Sequence, residues 1–377
     1  MRISESVTGE IPRLAAMIVG ELLGTQPISD LRPNADQVRC LFEYGRNHRL
    51  LPLIVERLRR ARIDAETSAL VQSARQALVG SSLALAAEHD RLLALFSANS
   101  LDVRSYKGPD LARRLWGDVA MRAMGDLDFL VRPRDVIRAH DLLIEHGYHP
   151  KVHVGPNQWR PFIRYEHDRA YVRADDGMVV ELHWKYFDRY IAFELTEEEV
   201  WGGDAGNDPE IDLVVLSLHG AKHAWTSAGW IVDIAAMLIR EPPNESILSG
   251  LARLTGTSRA LTLALALASG YTGLKLEKPL AERIARDRAA RELCNTTLKG
   301  PISRPRTTAD TVDDPSFYLQ TRERFVDRFH YHWYWIFTPN IDDQNVLNAP
   351  AWLAWLNYPV RVVRLLMKRR QRARAKV

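Results

Sequence analysis

The stretch that decides the fold is VRSYKGPDLARRLWGDVAMRAMGDLDFLV, residues 103–131. Its pattern predicts a short apolar strand over 102–107, a helix over 109–115 and a second apolar strand over 126–131. A proline is tolerated in the first turn of a helix, so the KGP sequence marks the point where the strand ends and the helix begins. The sequence therefore predicts a tight loop, carrying a lysine and a glycine, between a strand and a helix.

Two acids occupy alternate positions of the second predicted strand. Side chains two apart on a strand share a face, so Asp126 and Asp128 point the same way, about 6.6 Å apart along the chain. Two carboxylates directed at one place repel each other unless a cation lies between them, and oxygen ligands suit Mg²⁺ or Mn²⁺. The pair predicts a catalytic metal site.

A third acid follows on a later strand, MVVELHW, residues 178–184. The preceding DDG sequence is a turn signal and makes this strand the returning half of a hairpin. Glu181 and His183 lie on one face of it, where a neighbouring strand could add Glu181 to Asp126 and Asp128. Three such carboxylates can hold one or two metal ions. His183 is either a partner of the metal ligands or a buried core histidine.

The rest of the chain divides into segments that differ in predicted secondary structure. We predict four segments, which are a helical N-terminal region at 1–98, an α/β core at 99–200, a helical lobe at 201–300, and a C-terminal extension at 301–377 with a docked helix and a basic tail. Inside the core we expect a helix over 134–146 and strands near 161–165 and 170–174. The fold class predicted is α+β, with a small mixed sheet between helical regions.

Charge and composition exclude several classes of protein. The net charge is +4, but the last nineteen residues carry eight Lys or Arg and no acid, so the remainder has 43 basic against 47 acidic residues. An acidic body argues against nucleic-acid binding. The two cysteines, Cys40 and Cys294, have no CxxC spacing, which disfavours a thiolate zinc site and favours a reducing compartment. With no signal sequence or membrane span recognised, we expect a cytoplasmic protein.

The run KGPDLARRLWGDVAMRAMGDLDFLVRPRDVIRAHDLLIEHGY, residues 107–148, resembles the uncharacterised nucleotidyltransferase family of the polymerase-beta-like nucleotidyltransferase superfamily. The VELHW and LHGAKHAW segments are similar to that family as well, so the resemblance covers roughly 35–300. It implies a small mixed core with a metal triad at Asp126, Asp128 and Glu181. The wider superfamily carries Gly-Ser in the phosphate loop. Here the loop is Lys107-Gly108-Pro109, and a lysine charge takes the place of the serine hydroxyl.

Several basic residues are candidates for contact with phosphate. Lys107, Gly108 and the free N–H groups of the following helix are placed to hold a triphosphate. Arg113 and Arg122 either contact phosphate oxygens or pair with surface acids.

The later helix at 209–225 carries the remaining candidates. Lys222 lies on a helix that is apolar around most of its circumference, so it needs an anion, either Asp233 or the triphosphate. His219 and His223 are four apart, as in a zinc motif, but the glutamate of that motif is missing. We therefore assign His223 and Asp233 to the surroundings of the site.

These features together predict a Mg²⁺- or Mn²⁺-dependent nucleotidyltransferase that moves NMP from an NTP, with ATP the first choice, to an acceptor hydroxyl or phosphate. Asp128 or Glu181 would also accept the proton of the acceptor. The acceptor stays open between a small molecule, a sugar, a peptide and a protein. The alternative is a catalytically silent nucleotide-binding or antitoxin-like regulatory protein of the same fold. Contact of the basic tail with an anionic surface is a further expectation.

Overall fold

The computed structural model of the protein describes residues 5–202, 208–304, 315–339, 343, 346 and 351–374. The chain forms two compact units. We call one the helical unit, made of Met1–His89, Lys107–Gly125 and Asn207–Glu323. We call the other the sheet unit, made of Asp90–Tyr106, Asp126–Gly206 and Arg324–Val377.

The helical unit is built on α-helices throughout its described part. They are α1 (Glu5–Leu23), α2 (Ala35–Asn47), α3 (Leu51–Leu58), α4 (Ala65–Ala98, which continues into the sheet unit), α5 (Gly108–Trp116), α9 (Pro209–Lys222), α10 (Ala228–Arg240), α11 (Glu245–Leu254), α12 (Ser258–Thr272), α13 (Lys278–Arg286), α14 (Arg288–Lys299) and α15 (Pro315–Thr321). Labels α6 to α8 belong to the sheet unit, described below.

The core of the helical unit forms around α9, α10 and α12. Helix α12 packs against α9, α10 and α14. Its side chains Leu261, Leu263, Leu265 and Leu267 are fully buried. A helix that is apolar on all sides must be enclosed by other helices, because any exposed side would leave apolar surface in water. The apolar LALALA run therefore specifies a central helix.

The sheet unit contains one five-stranded sheet and flanking helices. The elements are β1 (Val103–Ser105), β2 (Leu127–Val131), α6 (Val136–Glu145), β3 (Tyr148–Pro150), α7 (Trp159–Tyr165), β4 (Asp168–Arg173), β5 (Val179–His183), α8 (Glu197–Trp201), α16 (Phe325–Phe337) and α17 (Asn357–Arg374). The strand order is β1-β2-β5-β4-β3. Strands β2 and β5 run parallel, and the other neighbouring pairs are antiparallel.

The two faces of this sheet differ in chemistry. Leu127, Phe129, Val180 and Leu182 share one face and are buried. Phe96 near the end of α4 packs edge-on against Phe129, with ring centroids 5.7 Å apart. Side chains alternate along a strand, so the residues between these apolar ones face the opposite way. That opposite face carries the acids.

The predicted fold class is confirmed, because the chain is α+β with a small mixed sheet and flanking helices. The hairpin around Gly177 is present as β4 and β5 in antiparallel register. One predicted strand is wrong: residues 161–165 lie in helix α7, because Pro161 near the start of this segment suits the first turn of a helix. The short edge strand β3 was not predicted. The four-segment division of the chain stays a prediction.

The C-terminal extension is described only in part. Helix α17 packs against α16 within the sheet unit. The connector at 305–314 and the side chains of the basic tail at 368–377 lie outside the described residues. Among the described helices, none combines the length and the apolar character needed to cross a membrane.

Candidate functional site

The two parallel strands of the sheet place two acids side by side. Asp128 of β2 and Glu181 of β5 are direct partners in the register. Neighbouring strands lie about 4.8 Å apart and paired residues share a face, so both carboxylates leave the sheet on the same side. The side chain of Asp128 is 5% exposed and that of Glu181 is 31% exposed. One acid is thus fixed in the protein interior and the other reaches towards solvent.

His183 lies two residues after Glu181 on the same face. Its Nε2 donates to Oδ1 of Asp128 at 3.1 Å and lies 3.5 Å from Oε2 of Glu181. Burial lowers the pKa of His183, but the hydrogen bonds to Asp128 and Glu181 and the charge of Asp168 outweigh burial and raise it to about 9. The imidazole is therefore protonated at neutral pH and orients the Asp128 carboxylate.

This face of the sheet has the donor set of a metal site. Two groups of three side chains in the described residues each bring ligand atoms within 4.8 Å of one another, namely Asp128, Glu181 and His183, and His167, Asp168 and His183. The buried Nδ1 of His183 has no hydrogen-bond partner among the described residues. Carboxylate oxygens suit Mg²⁺ and Mn²⁺, so Asp128 and Glu181 would be the ligands and the protonated His183 would orient Asp128. The residues present fit a divalent ion.

The surroundings of the acids are aromatic and buried. Tyr106 packs edge-on against the His183 ring at 5.4 Å and against Tyr186 at 5.3 Å. Burial, and then the charges of Asp128, Glu181 and Asp168, raise the pKa of Tyr106 well above its ordinary value, so this phenol stays neutral. Asp126 immediately precedes β2 and is half-buried. Its role as a further metal ligand remains a prediction.

In the helical unit, the loop predicted to hold phosphate opens helix α5. Lys107 is the residue before the helix, and Gly108 has φ of +58°. A positive φ is costly for residues with a Cβ, which explains the glycine at this turn. Pro109 follows in the first turn, as predicted. The loop thus has the backbone form that the sequence indicated, and its binding of phosphate stays a prediction.

Basic side chains of the helical unit surround His219 on α9. Burial lowers the pKa of His219 well below its ordinary value, and the charges of Lys107, His223, Lys222 and Arg49 lower it further. The charges that act on His219 therefore include three residues that the sequence had identified, Lys107, Lys222 and His223. Arg49 is the fourth. The two metal-ligand groups of the described residues contain neither His219 nor His223.

Arg122 and Asp233 form a buried ion pair in the helical unit. Nε and Nη2 of Arg122 donate to the Asp233 carboxylate at 2.9–3.1 Å, and the two side chains are 11% and 8% exposed. Asp233 is thus bound by Arg122, whereas the sequence had offered Lys222 as its partner. Arg113 pairs with Asp110 at 3.0 Å on the surface, one of the two alternatives for that residue.

Sequence reasoning missed several members of these groups. Asp168 opens β4, but the predicted strand began two residues later, so its carboxylate was not placed on the sheet. Its neighbour His167 was missed for the same reason. Arg49 lies in the turn between α2 and α3 with φ of +59°, and no motif marks it. Arg114, which binds Asp212 at 2.7 Å and also pairs with Glu241, was not singled out either.

Comparison with models of protein families identifies the family of this chain. The family model described as uncharacterised nucleotidyltransferase matches residues 34–273, a range that includes Lys107, Asp128, Glu181 and Lys222. No curated protein and no solved structure matches the chain. The matched range is well over half of the 377 residues. This chain belongs to the uncharacterised nucleotidyltransferase family, which indicates nucleotidyltransferase activity in general.

Proposed function

We propose that the protein is a divalent-metal-dependent nucleotidyltransferase that transfers NMP from an NTP to an acceptor hydroxyl or phosphate. The observation that carries the proposal is the pairing of Asp128 with Glu181 on the parallel strands β2 and β5. Membership of the family supports transfer of a nucleotidyl group in general. The metal, the nucleotide and the direction of transfer are the parts that we add.

Asp128 and Glu181 would hold the ion, Mg²⁺ or Mn²⁺, with Asp126 as the third carboxylate. Such an ion neutralises charge on the phosphates and lowers the pKa of the attacking hydroxyl. His183 acts as a positioning residue, because its hydrogen bond at 3.1 Å fixes the rotation of the Asp128 carboxylate. A carboxylate that is already fixed loses less conformational freedom on binding a ligand than a mobile one, so binding costs less free energy.

Lys107 and Gly108 would bind the phosphate chain, with Lys222 adding charge. Arg113 would be an outer contact only, because it is 39% exposed and already paired with Asp110. Arg122 is held by Asp233, which favours a structural role for both side chains over direct contact with phosphate.

The more exposed carboxylate, Glu181, is the better candidate to accept the proton of the acceptor, because a group at 31% exposure can meet an incoming hydroxyl. We propose ATP as the nucleotide, in line with the expectation from the sequence. The acceptor would be a small molecule, a sugar, a peptide or a protein.

The experiment that tests this function uses NTPs labelled at the α-phosphate and at the γ-phosphate in separate reactions. Each is incubated with the protein, Mg²⁺ or Mn²⁺ and a cell extract that supplies acceptors. Label should enter an acceptor from the α-phosphate and not from the γ-phosphate. Asp126→Asn, Asp128→Asn and Glu181→Gln should each abolish it while the fold is retained. Transfer of the γ-label would instead indicate a kinase-type reaction.

The alternative is a nucleotide-binding regulatory protein without turnover. It predicts NTP binding by the wild type, but no metal-dependent incorporation of label from either position. The paired acids favour the enzyme over this alternative, because two adjacent carboxylates are the ligands that a catalytic Mg²⁺ or Mn²⁺ ion needs.

A further inference from the structure

A group of two histidines and an acid lies next to the acid pair, where β4 begins and β5 ends. Asp168 of β4 and His183 of β5 are direct partners in the antiparallel register. His167 precedes β4, and its carbonyl oxygen accepts hydrogen bonds from the N–H groups of Trp184 and Lys185 at 2.9 and 3.3 Å. His167, Asp168 and His183 each bring a ligand atom within 4.8 Å of the other two. The backbone therefore holds two imidazoles and a carboxylate together.

Each of the two imidazoles has a buried nitrogen without a hydrogen bond. Nε2 of His183 is bound to Asp128 at 3.1 Å, but its Nδ1 has no hydrogen-bond partner among the described residues. The same holds for Nδ1 of His167 in the described part of the chain, although it lies 3.2 Å from Oδ1 of Asp168 and 3.0 Å from Oδ1 of Asp188. A buried polar nitrogen without a partner is unfavourable. Two of them in one group point to a ligand that both nitrogens bind.

The distances within this group agree with a tetrahedral metal ion. Zn²⁺ binds imidazole nitrogen and carboxylate oxygen at about 2.0–2.2 Å, so neighbouring ligand atoms of a tetrahedral zinc site lie about 3.3 Å apart. The separations of His167 Nδ1 from the oxygens of Asp168 and Asp188, 3.2 and 3.0 Å, are close to that value. The wider separations in the group stay within 4.8 Å, which small rotations of the side chains would close.

Burial and ligand chemistry distinguish this group from the acid pair. The side chains of His167 and His183 are 14% and 5% exposed, whereas Asp168 is 28% exposed and gives access from solvent. Imidazole and carboxylate together suit Zn²⁺, whereas Mg²⁺ prefers oxygen ligands. Mn²⁺ is the weakest binder in the order of divalent transition metals. The two groups should therefore select different ions.

We propose that His167, Asp168 and His183 bind one Zn²⁺ ion, at a site separate from that of the acid pair on β2 and β5. Asp188 is the fourth ligand. Zn²⁺ would displace the Nδ1 proton of His183 into solvent, while the Nε2 proton keeps its hydrogen bond to Asp128. The proposal does not rest on nucleotide transfer, because binding of Zn²⁺ is measured without a nucleotide.

The probe is Zn²⁺, titrated calorimetrically into the full-length protein after treatment with a chelator and dialysis. Excess Mg²⁺ is present throughout so that it occupies the acid pair. The wild type should bind one Zn²⁺ ion per chain. His167→Gln should weaken that binding by more than about a hundredfold, beyond the 10- to 100-fold typical of residues that only orient a ligand. Co²⁺ in place of Zn²⁺ should give the intense visible absorption of a tetrahedral site in the wild type and not in His167→Gln.

Asp168→Asn is the second variant and should weaken Zn²⁺ binding by at least about tenfold, because a neutral amide replaces a charged ligand. Asp168 is the more exposed ligand, so this variant carries the test if His167→Gln does not fold. His149→Gln is the matched control, because His149 is an exposed histidine of β3 in the same sheet and belongs to neither ligand group. It should bind Zn²⁺ as the wild type does.

The double variant Asp128→Asn, Glu181→Gln separates this site from the acid pair. It should still bind one Zn²⁺ ion, with affinity lowered by at most about a hundredfold, since Asp128 only orients His183. Unchanged Zn²⁺ affinity in both His167→Gln and Asp168→Asn, or a wild type that binds no Zn²⁺, would overturn the inference and leave His167 as the partner of an ion pair only. Neither result would bear on the acid pair, whose failure would appear as loss of Mg²⁺- or Mn²⁺-dependent label transfer.

Discussion

The buried ion pair of Arg122 and Asp233 allows a direct test of whether Arg122 stabilises the fold or contacts phosphate. Three nitrogen–oxygen contacts of 2.9–3.1 Å join these side chains, and both are about nine-tenths buried. Removal of one partner leaves a buried charge uncompensated, which typically costs about 3–5 kcal/mol. We take the lower end, about 3 kcal/mol, because some solvent still reaches the pair. For a folded unit of some 200 residues this corresponds to a fall in Tm of about 6–12 °C.

The assay compares urea and thermal unfolding of Arg122→Gln, Asp233→Asn and the double variant. Each single variant should be destabilised by about 3 kcal/mol, and the double variant by less than the sum, because the two changes remove the same interaction. Arg113→Gln is the control, and the loss of its exposed pair with Asp110 should cost under about 1 kcal/mol. The reasoning would be refuted if Arg122→Gln unfolded like the wild type and instead lost affinity for NTP.

Three further outcomes are expected. Lys107→Ala should weaken NTP binding in calorimetry by about 1.5–3 kcal/mol, with a smaller effect for NDP and the smallest for NMP; equal affinity of variant and wild type for the triphosphate would contradict the loop assignment. The pKa of His219 is lower in the folded protein than in the unfolded chain. The free energy of unfolding therefore keeps its full value above about pH 6.5 and decreases as the pH falls below 6.5, by at most about 1.4 kcal/mol per pH unit. His219→Gln should therefore show a flatter decline of unfolding free energy between pH 6.5 and 5, and an unchanged slope would count against a neutral buried imidazole. Deletion of residues 368–377 should leave transfer to a small acceptor unchanged. If the tail binds an acidic partner, the truncated protein should bind that partner more weakly, and binding by the wild type should weaken with added salt. A truncated protein that does not fold would show that the tail is structural.

The local sequence pattern was sufficient to predict the two strands that carry the acids and the helix after the KGP loop. Asp128 and Glu181 each lie in a strand that is otherwise largely apolar, and the KGP loop carries a proline suited to the first turn of a helix. That β2 and β5 are neighbours was only an expectation from the sequence, because strand pairing depends on contacts between residues that are distant in the chain. The register that pairs Asp128 with Glu181 is therefore information that the structure adds.

The missed and mistaken features have physical causes. Residues 161–165 contain aromatic and β-branched residues typical of a strand, but they fold as α7, where Phe162 packs against Trp184 with centroids 5.5 Å apart. Pro161 in the first turn is the local signal for this helix, in a segment whose other residues resemble a strand. The backbone before Arg49 is bound by the residue that precedes α10, since the Ser227 hydroxyl donates to the His48 carbonyl across 179 residues of sequence. Such placement cannot be deduced from residues near Arg49.

The most direct measurement is Mn²⁺ binding, followed by electron paramagnetic resonance of the free ion, for the wild type and for the double variant Asp128→Asn, Glu181→Gln. The account predicts that the wild type binds Mn²⁺ and that the double variant, folded by circular dichroism, loses affinity by more than about a hundredfold, beyond the 10- to 100-fold typical of residues that only orient a ligand. Arg113→Gln should bind Mn²⁺ as the wild type does. If the double variant binds Mn²⁺ as tightly as the wild type, the acids of β2 and β5 are not the metal ligands, and the central claim is contradicted.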